Sequence, residues 1–428
     1  RNGYQSIVVT LEAQEMPEAD DATVHALTKE TKQVALDIWN KYLFTDTAAF
    51  DCFLTLEKEG VEIGRRKLEL SVAAKQRKRI ELPVQLPAAA GEYVVTVSFR
   101  TKENSTWAEA GTELAWGQTV IRREDKDASE RPCCAEAIRR MQIIRGAWNL
   151  GVHGENFDVL FSTLHGGLVS YRYAGKELLK ASPRPNFWRA MTDNDLGCTF
   201  PQSAAPWRSA GLYATTKYAS GRRVTEYEVS EDENAITITY TYHLATIPAK
   251  DCFVSYTVTA DGEVRVKQQM EASAEVGELP EFSMLFTLDG RQDQLRWYGP
   301  GPDETYMDRC HAKIGVYAST TEDSVAGYLR PQECGNHVDV RWAELTDAQG
   351  AGLRFETNGL QFSALPYSPE QLECAKHPNE LPASVHTYVR VGLQMGVGGD
   401  DSWGAQVHPE YHLDNTKPME ISFSFRGI

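Results

Sequence analysis

The run Ala235-Ile-Thr-Ile-Thr-Tyr-Thr-Tyr242 alternates apolar or aromatic side chains with polar ones. A period of two places each kind on its own face of a strand, so the run predicts a half-buried β-strand. Tyr93-Val-Val-Thr-Val-Ser-Phe-Arg100 and Ile421-Ser-Phe-Ser-Phe425 are equally rich in β-branched and aromatic residues. Helical periodicity is scarce, with a turn or two predicted at 135–140 and at 369–375. The pattern lacks the alternating strand and helix units of a parallel sheet and therefore predicts an all-β chain.

Two dipeptides predict tight hairpins. Asp261-Gly262 separates strand-like runs at 254–259 and 264–270, and Asn358-Gly359 separates two shorter runs. Asp-Gly and Asn-Gly supply the positive φ angles that two-residue hairpin turns need. We therefore expect the runs on the two sides of each turn to pair as neighbouring strands.

A dense charge run, Arg122-Arg-Glu-Asp-Lys-Asp-Ala-Ser-Glu-Arg-Pro132, predicts a domain boundary, because few contacts cross such a segment. At 428 residues the chain is long for one domain. We expect a first domain at 1–122 with the strands of one sandwich, a charged linker at 123–140 and a second domain at 141–428. The second part is long for a single sandwich and suits a larger two-sheet assembly.

The composition of the chain indicates which binding partners and which cellular compartment to expect. Sixty acidic residues against 44 basic ones give a formal charge of −16, which repels nucleic acid and anionic lipid. No apolar run approaches the roughly 20 residues needed to cross a bilayer, and the first residues, RNGYQSIVV, have no signal-peptide layout. Eight cysteines without a CxxC pair favour reduced thiols. We therefore predict a cytoplasmic protein that binds neither nucleic acid nor membrane.

Metal binding is not expected from the histidines. His408-Pro-Glu-Tyr-His412 places two of them four residues apart, a spacing that suits a metal only on a helix. The proline inside the run and its strand-like flanks argue against a helix there. The sequence therefore predicts no metal site.

The first of three acid-rich segments is 186–197, which combines Trp188 and Arg189 with the carboxylates of Asp193 and Asp195. A structural interpretation is a buried loop in which Arg189 forms an ion pair and the Asx side chains cap turns. A functional interpretation is a loop that lines a ligand site. Both interpretations stay open.

The second segment is 297–309, where two Gly-Pro steps fix an irregular turn before Asp303, Glu304, Asp308 and Arg309. Two carboxylates about 5–9 Å apart can cleave a glycosidic bond. Neighbouring residues such as Asp303 and Glu304 point in different directions, however. A structural cluster of salt bridges is therefore the favoured interpretation.

The third segment is Met395-Gly-Val-Gly-Gly-Asp-Asp-Ser-Trp-Gly404, here called the glycine-rich loop. Glycines allow a sharp bend, and Asp400, Asp401 and Trp403 follow them. An aromatic ring beside carboxylates suits a sugar, because a pyranose has an apolar CH face and a polar hydroxyl rim. The alternative is a β-bulge with a core tryptophan.

In this order, the three segments resemble the last domain of family 2 β-galactosidases. Further runs resemble the same domain or the immunoglobulin-like domain that precedes it, so that the resemblance covers nearly the whole chain. The runs that carry it are Asn40–Asp46, Trp107–Gly111, Phe157–Leu179, Phe187–Gly197, Trp297–Tyr306, Arg330–His337 and Gly398–Trp403.

The resemblance implies an immunoglobulin-like β-sandwich followed by a large β-supersandwich like that of galactose mutarotases. A mutarotase-like enzyme is the natural rival, but its acid/base His and Glu motif is not apparent in this sequence. The family's two catalytic glutamates lie in an upstream (β/α)8 barrel, whose pattern is absent from this sequence. The resemblance thus implies no catalytic residue in this chain, and we expect the chain alone to be inactive.

The resemblance also implies a site. Trp403 matches the aromatic residue that the family's last domain sends into the active site, and Gly197 matches a glycine that opens a mobile loop beside it. The segment after Gly197, at 198–206, looks short for such a gate. We expect substrate contacts from Trp403, Asp400 and Asp401, and an active-site loop made of Asp193, Asn194, Asp195 and Gly197.

The function implied is that of the C-terminal part or small subunit of a β-galactosidase, which hydrolyses terminal non-reducing β-D-galactose residues. The expected partners are the catalytic barrel, on the same polypeptide or on a large subunit, and a β-galactoside, within an oligomeric full enzyme. Family enzymes use Mg²⁺ and Na⁺ near the barrel, so no cofactor is expected in this chain. The alternatives are a free-standing carbohydrate-binding module and a structural module that stabilises an oligomer.

Overall fold

A computed structural model of the protein describes residues 5–13, 29–124, 141–217, 225–231, 235–401 and 403–428. The chain divides into two units, 1–134 and 135–428. Apart from Arg123 and Glu124, the expected linker at 123–140 lies outside the described residues, as does the short helix expected at 135–140. The expected domain bounds therefore stay a prediction.

The first unit is a two-layer sandwich. Its strands are β1 (Ile7–Ala13), β2 (Lys29–Asn40), β3 (Phe50–Lys58), β4 (Val61–Leu68), β5 (Arg77–Pro87), β6 (Gly91–Thr101) and β7 (Glu113–Arg123). They form a three-stranded sheet, β1-β2-β5, and a four-stranded sheet, β4-β3-β6-β7. Alternation builds the core between them, as in β3, where Cys52, Leu54 and Leu56 are buried. Seven antiparallel strands divided three and four are typical of an immunoglobulin-like sandwich.

The second unit contains most of the strands and all of the described α-helices. Its strands are β8 (Gln142–Arg145), β9 (Asn149–His153), β10 (Phe157–Ser162), β11 (Leu168–Tyr173), β12 (Lys176–Glu177), β13 (Ala181–Asn186), β14 (Tyr227–Glu231), β15 (Ala235–Leu244), β16 (Lys250–Thr259), β17 (Val264–Met270), β18 (Glu281–Asp289), β19 (Gln294–Gly301), β20 (Lys313–Thr320), β21 (Asn336–His337), β22 (Trp342–Thr346), β23 (Gly352–Glu356), β24 (Gln361–Leu365), β25 (His386–Gln394) and β26 (Met419–Gly427). The helices are α1 (Asp193–Gly197), α2 (Phe200–Tyr213) and α3 (Pro369–Cys374).

Three sheets enclose one continuous core in this unit. Their strand orders are β14-β15-β16-β17-β26-β23-β22-β19-β20, β13-β18-β25-β24-β21 and β12-β11-β10-β9-β8. In β15 the buried face carries Ile236, Ile238 and Tyr240, as the alternation predicts. On its other face, hydroxyl pairs such as Thr237–Thr257, 2.8 Å apart, join it to β16. The prediction of an all-β chain is confirmed for the part that the structure describes.

One of the two hairpin predictions is confirmed and the other is wrong. Gly262 has a positive φ and joins the antiparallel strands β16 and β17. Asn358 and Gly359 also have positive φ, but β23 pairs with β22 and β26, whereas β24 pairs with β21 and β25. The second turn therefore carries the chain from one sheet to another. Turn residues set local backbone angles but not the pairing of the strands, and Phe355 and Phe362 on the two sides of this turn are both buried in the same core.

The helices also differ from expectation in one place. The helix expected at 369–375 is α3, with Ser368 as its N-cap. Most of the segment 198–206, which looks short for a gate, belongs to a helix that the sequence analysis did not predict. This helix, α2, buries Phe200, Ala204 and Trp207 along one side. Pro206 inside this helix obscured the helical spacing. At 14 residues α2 is the longest of the described helices, none of which is both long and apolar enough to cross a membrane.

Candidate functional site

The three acid-rich segments meet in the second unit. Arg189, from the first segment, donates to the carbonyl oxygen of Gly396 in the glycine-rich loop at 3.2 Å. Asp308, from the second segment, accepts from the backbone N–H groups of Val397 and Gly398 at 2.9 and 2.8 Å. Segments that are more than 80 residues apart in sequence therefore share one set of contacts around residues 396–398, which we call the base of this loop.

A buried ion pair organises the first segment. The Arg189 guanidinium donates to both carboxylate oxygens of Asp195, at 2.6 and 3.2 Å, and its side chain is 0% exposed. Burial lowers the pKa of Arg189, but the Asp195 carboxylate, together with Glu333 and Tyr306, outweighs this effect and holds that pKa above its ordinary value. The guanidinium thus stays charged, as a bidentate partner of a carboxylate should.

Asp195 also helps to cap the start of α1. Its Oδ2 accepts from the backbone N–H of Thr192 at 2.8 Å, while the Thr192 hydroxyl oxygen accepts from the Asp195 N–H at 3.3 Å. This reciprocal capping satisfies N–H groups that a helix start leaves free. The structural interpretation of the first segment, an Arg189 ion pair with a capping Asx side chain, therefore describes these contacts.

Further contacts join α1 to the glycine-rich loop. The Thr192 hydroxyl donates to the carbonyl oxygen of Val397 at 3.4 Å, and the Asn194 amide donates to that of Asp401 at 2.9 Å. Gly197 lies against Gly404 so closely that a Cβ on Gly197 would be 2.7 Å from the Gly404 Cα. Glycine is needed at both positions, since Gly404 also has a φ of +91°.

Asp400, Asp401 and Trp403, which we call the tip of the loop, are exposed. The Asp401 carboxylate accepts from the backbone N–H groups of Trp403 and Ala405 at 2.8 and 3.3 Å, which bends the chain. Trp403 is 91% exposed, so the alternative of a core tryptophan is wrong. The Asp400 carboxylate lies 2.9 Å from Nε2 of His408, and this hydrogen bond raises the pKa of His408.

A cleft of about 640 Å³ opens beside the loop, and residues of all three segments line it. We call it the acidic cleft, because its carboxylates are those of Asp193, Asp308, Glu333 and Asp400. Asp193 is fixed in it by Gln332, whose amide donates to the Asp193 carboxylate at 3.0 Å. The tip residue Trp403 is not part of this lining.

Behind the cleft lies a second buried charge cluster. The Arg390 guanidinium donates to Glu281 at 2.7 Å and to Oε1 of Glu333 at 2.6 Å. One cation is thus shared by two carboxylates. Burial raises the pKa of Glu281 to about 7, against the opposing effect of Arg390. Glu333 lies in the run Arg330–His337 that carries the family resemblance, but the sequence alone gives it no role.

Elsewhere in the second segment, Arg309 and Glu304 form a salt bridge of the expected kind. Arg309 donates to the Glu304 carboxylate at 2.5 Å, and that carboxylate also accepts from the Gly335 N–H at 2.7 Å. Asp303 is exposed and does not line the cleft. Among the residues that the structure describes, no three His, Cys, Asp or Glu side chains are grouped so as to hold a metal ion.

The chain is similar to known β-galactosidases along most of its length. The family model described as beta galactosidase small chain matches residues 153–426, and the model for β-galactosidase domain 4 matches residues 36–122. A β-galactosidase of Halalkalibacterium halodurans is 38% identical over 402 residues, which cover 91% of this chain and 38% of that protein. The chain thus spans less than half the length of this curated relative.

A second relative is a shorter protein that aligns with this chain over nearly its whole length. The β-galactosidase small subunit of Latilactobacillus sakei is 35% identical over 314 residues, which cover 68% of this chain and 98% of that subunit. A solved galactose 1-epimerase of Lactobacillus acidophilus covers 68% of the chain with 8% identity, but its TM-score of 0.36 supports no argument. The family model and the small-subunit relative establish that the chain belongs to the β-galactosidase small-chain family.

Proposed function

We propose that this chain is the small-chain region of a family 2 β-galactosidase, an enzyme that releases terminal β-D-galactose. The nucleophile and the acid/base of such a retaining hydrolase would come from a catalytic barrel outside this chain. Two findings support this division. The chain matches only 38% of the Halalkalibacterium halodurans relative, and nearly the whole small subunit of Latilactobacillus sakei aligns with it.

The exposed indole of Trp403 is the observation that carries this proposal. An indole that is 91% exposed gains nothing from the core of its own chain. Its loop is nevertheless held at the base by Arg189 and Asp308, so the ring is presented from a fixed support. We infer that it forms part of the platform on which a galactoside stacks when the catalytic barrel is in place.

The carboxylates near Trp403 would play unequal parts. Asp400 has an 84% exposed side chain and can accept from sugar hydroxyl groups. Asp401 already accepts from two backbone N–H groups, so it would mainly shape the turn that carries the ring. In the active-site loop, Asp193 and Asn194 line the acidic cleft. Asp195 and Gly197 would support them, because their contacts are with Arg189 and Gly404.

We further propose that the chain needs no cofactor of its own and works in the cytoplasm. Its partner would be a catalytic barrel, on the same polypeptide or on a large subunit, and the complete enzyme would be an oligomer. The six cysteines in the described ranges are free thiols, which fits a reducing compartment. Burial raises the pKa of Cys52 and of Cys334 to about 12, so these two thiols stay protonated.

The test is a mixing experiment with a chromogenic β-galactoside. The isolated chain should give no turnover above background, and a separate chain that carries the catalytic barrel should gain activity when this chain is added. Turnover by the isolated chain would contradict the proposal. Failure to raise activity in the mixture, together with tight binding of galactose or lactose by the isolated chain, would instead favour a free-standing carbohydrate-binding module.

A further inference from the structure

We propose that one end of the first unit is a docking surface for the catalytic region with which this chain assembles. The surface, here called the apolar end, is formed by Leu43, Phe44 and Trp107, which are 61%, 91% and 69% exposed. The catalytic region as its occupant rests on the proposed function. All residues of the candidate site lie in the second unit, whereas this surface belongs to the first.

The apolar end is built from two loops that lie side by side. One loop joins β2 to β3 and the other joins β6 to β7. Phe50, the first residue of β3, is paired with Thr101, the last residue of β6, so the two loops leave the same end of one sheet. Lys102 also donates to the carbonyl oxygen of Ala48 at 2.6 Å, which joins the loops directly.

Buried polar contacts fix the shape of the first loop. The Asn40 side chain is buried, and its amide donates to the carbonyl oxygens of Thr45 and Val72 at 2.9 and 2.8 Å. Its Oδ1 accepts from the backbone N–H of Tyr42 at 3.0 Å. The loop is therefore held from inside the sandwich, while the two apolar side chains at its tip are left in solvent.

The second loop is held in a similar way. The Thr101 hydroxyl donates to the carbonyl oxygen of Glu109 at 2.6 Å, and Oδ1 of Asn104 accepts from the Ala110 N–H at 2.8 Å. Trp107 lies between these contacts in the chain. A loop that is already fixed loses little conformational freedom on binding, so an exposed indole on it is suited to anchor a partner.

The area of the apolar end indicates what kind of contact it can make. A large aromatic side chain covers about 150–250 Å², so the three exposed side chains together offer on the order of 400 Å². A stand-alone complex needs about 800 Å² from each partner, whereas contacts between domains of one protein bury about 600–1,500 Å² in total. The apolar end is therefore too small to hold a second copy by itself and suits a region that further contacts also hold.

The extents of the relatives favour the catalytic region as that occupant. The separate small subunit of Latilactobacillus sakei aligns with 68% of this chain, which is close to the share that the second unit makes up. The small-chain family model matches only residues of the second unit, and residues 36–122 match a different β-galactosidase domain. On this division the first unit goes with the catalytic region, so an apolar surface on it would face that region.

The test uses the mixture of this chain with a separate chain that carries the catalytic barrel. Sedimentation velocity measures their association. Phe44→Gln and Trp107→Gln should each weaken it about tenfold, the size expected for an interface anchor. The melting temperature of each variant should be unchanged, because these side chains are largely exposed in the isolated chain.

The matched control is Val61→Gln, which removes a 64% exposed apolar side chain of the same unit. Val61 is paired with Lys58, the last residue of β3, and therefore lies at the opposite end of the sandwich. Val61→Gln should change the association less than about twofold. With saturating amounts of this chain, Phe44→Gln should reach the kcat and KM of the unaltered mixture, since the apolar end holds the partner and does not touch the substrate.

Three results would overturn the proposal. The first is equal association by Phe44→Gln and Val61→Gln. The second is self-association of the isolated chain that Phe44→Gln abolishes, since the occupant would then be a second copy. The third is binding to vesicles of phosphatidylcholine and phosphatidylserine that Phe44→Gln abolishes, since the surface would then be a membrane contact.

The same mixture separates this inference from the proposed function. If Phe44→Gln and the unaltered chain associate equally with the catalytic chain and activate it equally, docking at the apolar end is wrong and the proposed function stands. If the unaltered chain neither associates with the catalytic chain nor activates it, the proposed function fails and the proposed occupant fails with it.

Discussion

The base and the tip of the glycine-rich loop are held by different physical means. At the base, Gly396 accepts from the fully buried Arg189, and Val397 and Gly398 donate to Asp308. At the tip, the Asp400 contact with His408 is exposed, and Trp403 points into solvent. Buried charged hydrogen bonds resist displacement because breaking them leaves an uncompensated charge. The difference gives a fixed support below a surface that stays free to bind.

Replacing the buried Arg189 should destabilise the base of the glycine-rich loop. Arg189→Met leaves the Asp195 carboxylate buried without its partner and should lower the free energy of unfolding of the second unit by about 3–5 kcal/mol. Arg189→Lys should lose less, since it keeps the charge but not the paired donors. Urea unfolding measures both. Lys417→Met, at an exposed pair with Asp414, is the control and should show no measurable change; an equal loss in Arg189→Met and Lys417→Met would contradict the account.

The close approach of the two glycines gives the next largest effect. Gly404→Ala places a Cβ 2.3 Å from the carbonyl oxygen of Gly197 at a φ of +91°. It should cost about 1 kcal/mol for the backbone angle and about 1–3 kcal/mol more for the clash. Gly350→Ala is the matched control, because it has a φ of +82° and open space for the Cβ. Similar melting temperatures for the two variants would show that the contact with Gly197 is unimportant.

Removing the N-cap of α1 should lower the free energy of unfolding by a smaller amount. Thr192→Ala removes the hydroxyl that accepts from Asp195 and that donates to Val397. The expected cost is about 1 kcal/mol, the usual size for loss of an N-cap. Thr192→Ser keeps the hydroxyl and should retain most of the stability in the same urea titration. If Thr192→Ser loses as much as Thr192→Ala, the methyl group matters and the cap does not.

Much of this fold follows from local patterns in the sequence. The alternation in β15 and β26 and the turn at Asp261-Gly262 are visible because they depend on neighbouring residues. The turn at Asn358-Gly359 was assigned correctly as a turn but not as a link between sheets, since sheet membership depends on burial against distant strands. The helix α2 was missed because Pro206 interrupts its pattern.

The candidate site was predictable only in part. Its three segments stand out by composition, and Trp403 was expected to be available to a ligand. The sequence cannot reveal that Arg189 reaches Gly396 or that Asp308 supports Gly398, because these contacts join residues about 90 or more positions apart. The role of Glu333 is hidden for the same reason, since its partner Arg390 lies 57 residues further along the chain, on β25.

The smallest expected effect concerns pH at the tip. The hydrogen bond that His408 donates to the Asp400 carboxylate raises the pKa of His408. The contact is therefore complete below the ordinary histidine pKa and is lost as pH rises through the raised value. The indole N–H signal of Trp403, assigned with Trp403→Phe, should shift over that range in NMR spectra. His408→Gln should remove the shift without changing global stability. A Trp403 signal with the same pH dependence in His408→Gln would show that another group controls the tip.

The most direct measurement is the steady-state kinetics of the mixed enzyme with Trp403→Ala. Its control is Trp148→Ala, which removes another exposed indole of the same unit, 64% exposed. If Trp403 forms the sugar platform, Trp403→Ala should raise KM for a β-galactoside about tenfold, equivalent to about 1.4 kcal/mol of binding free energy, with unchanged melting temperature. Trp148→Ala should leave KM unaltered. Unchanged KM and kcat in Trp403→Ala would contradict the central claim that the fixed base presents this ring to the substrate.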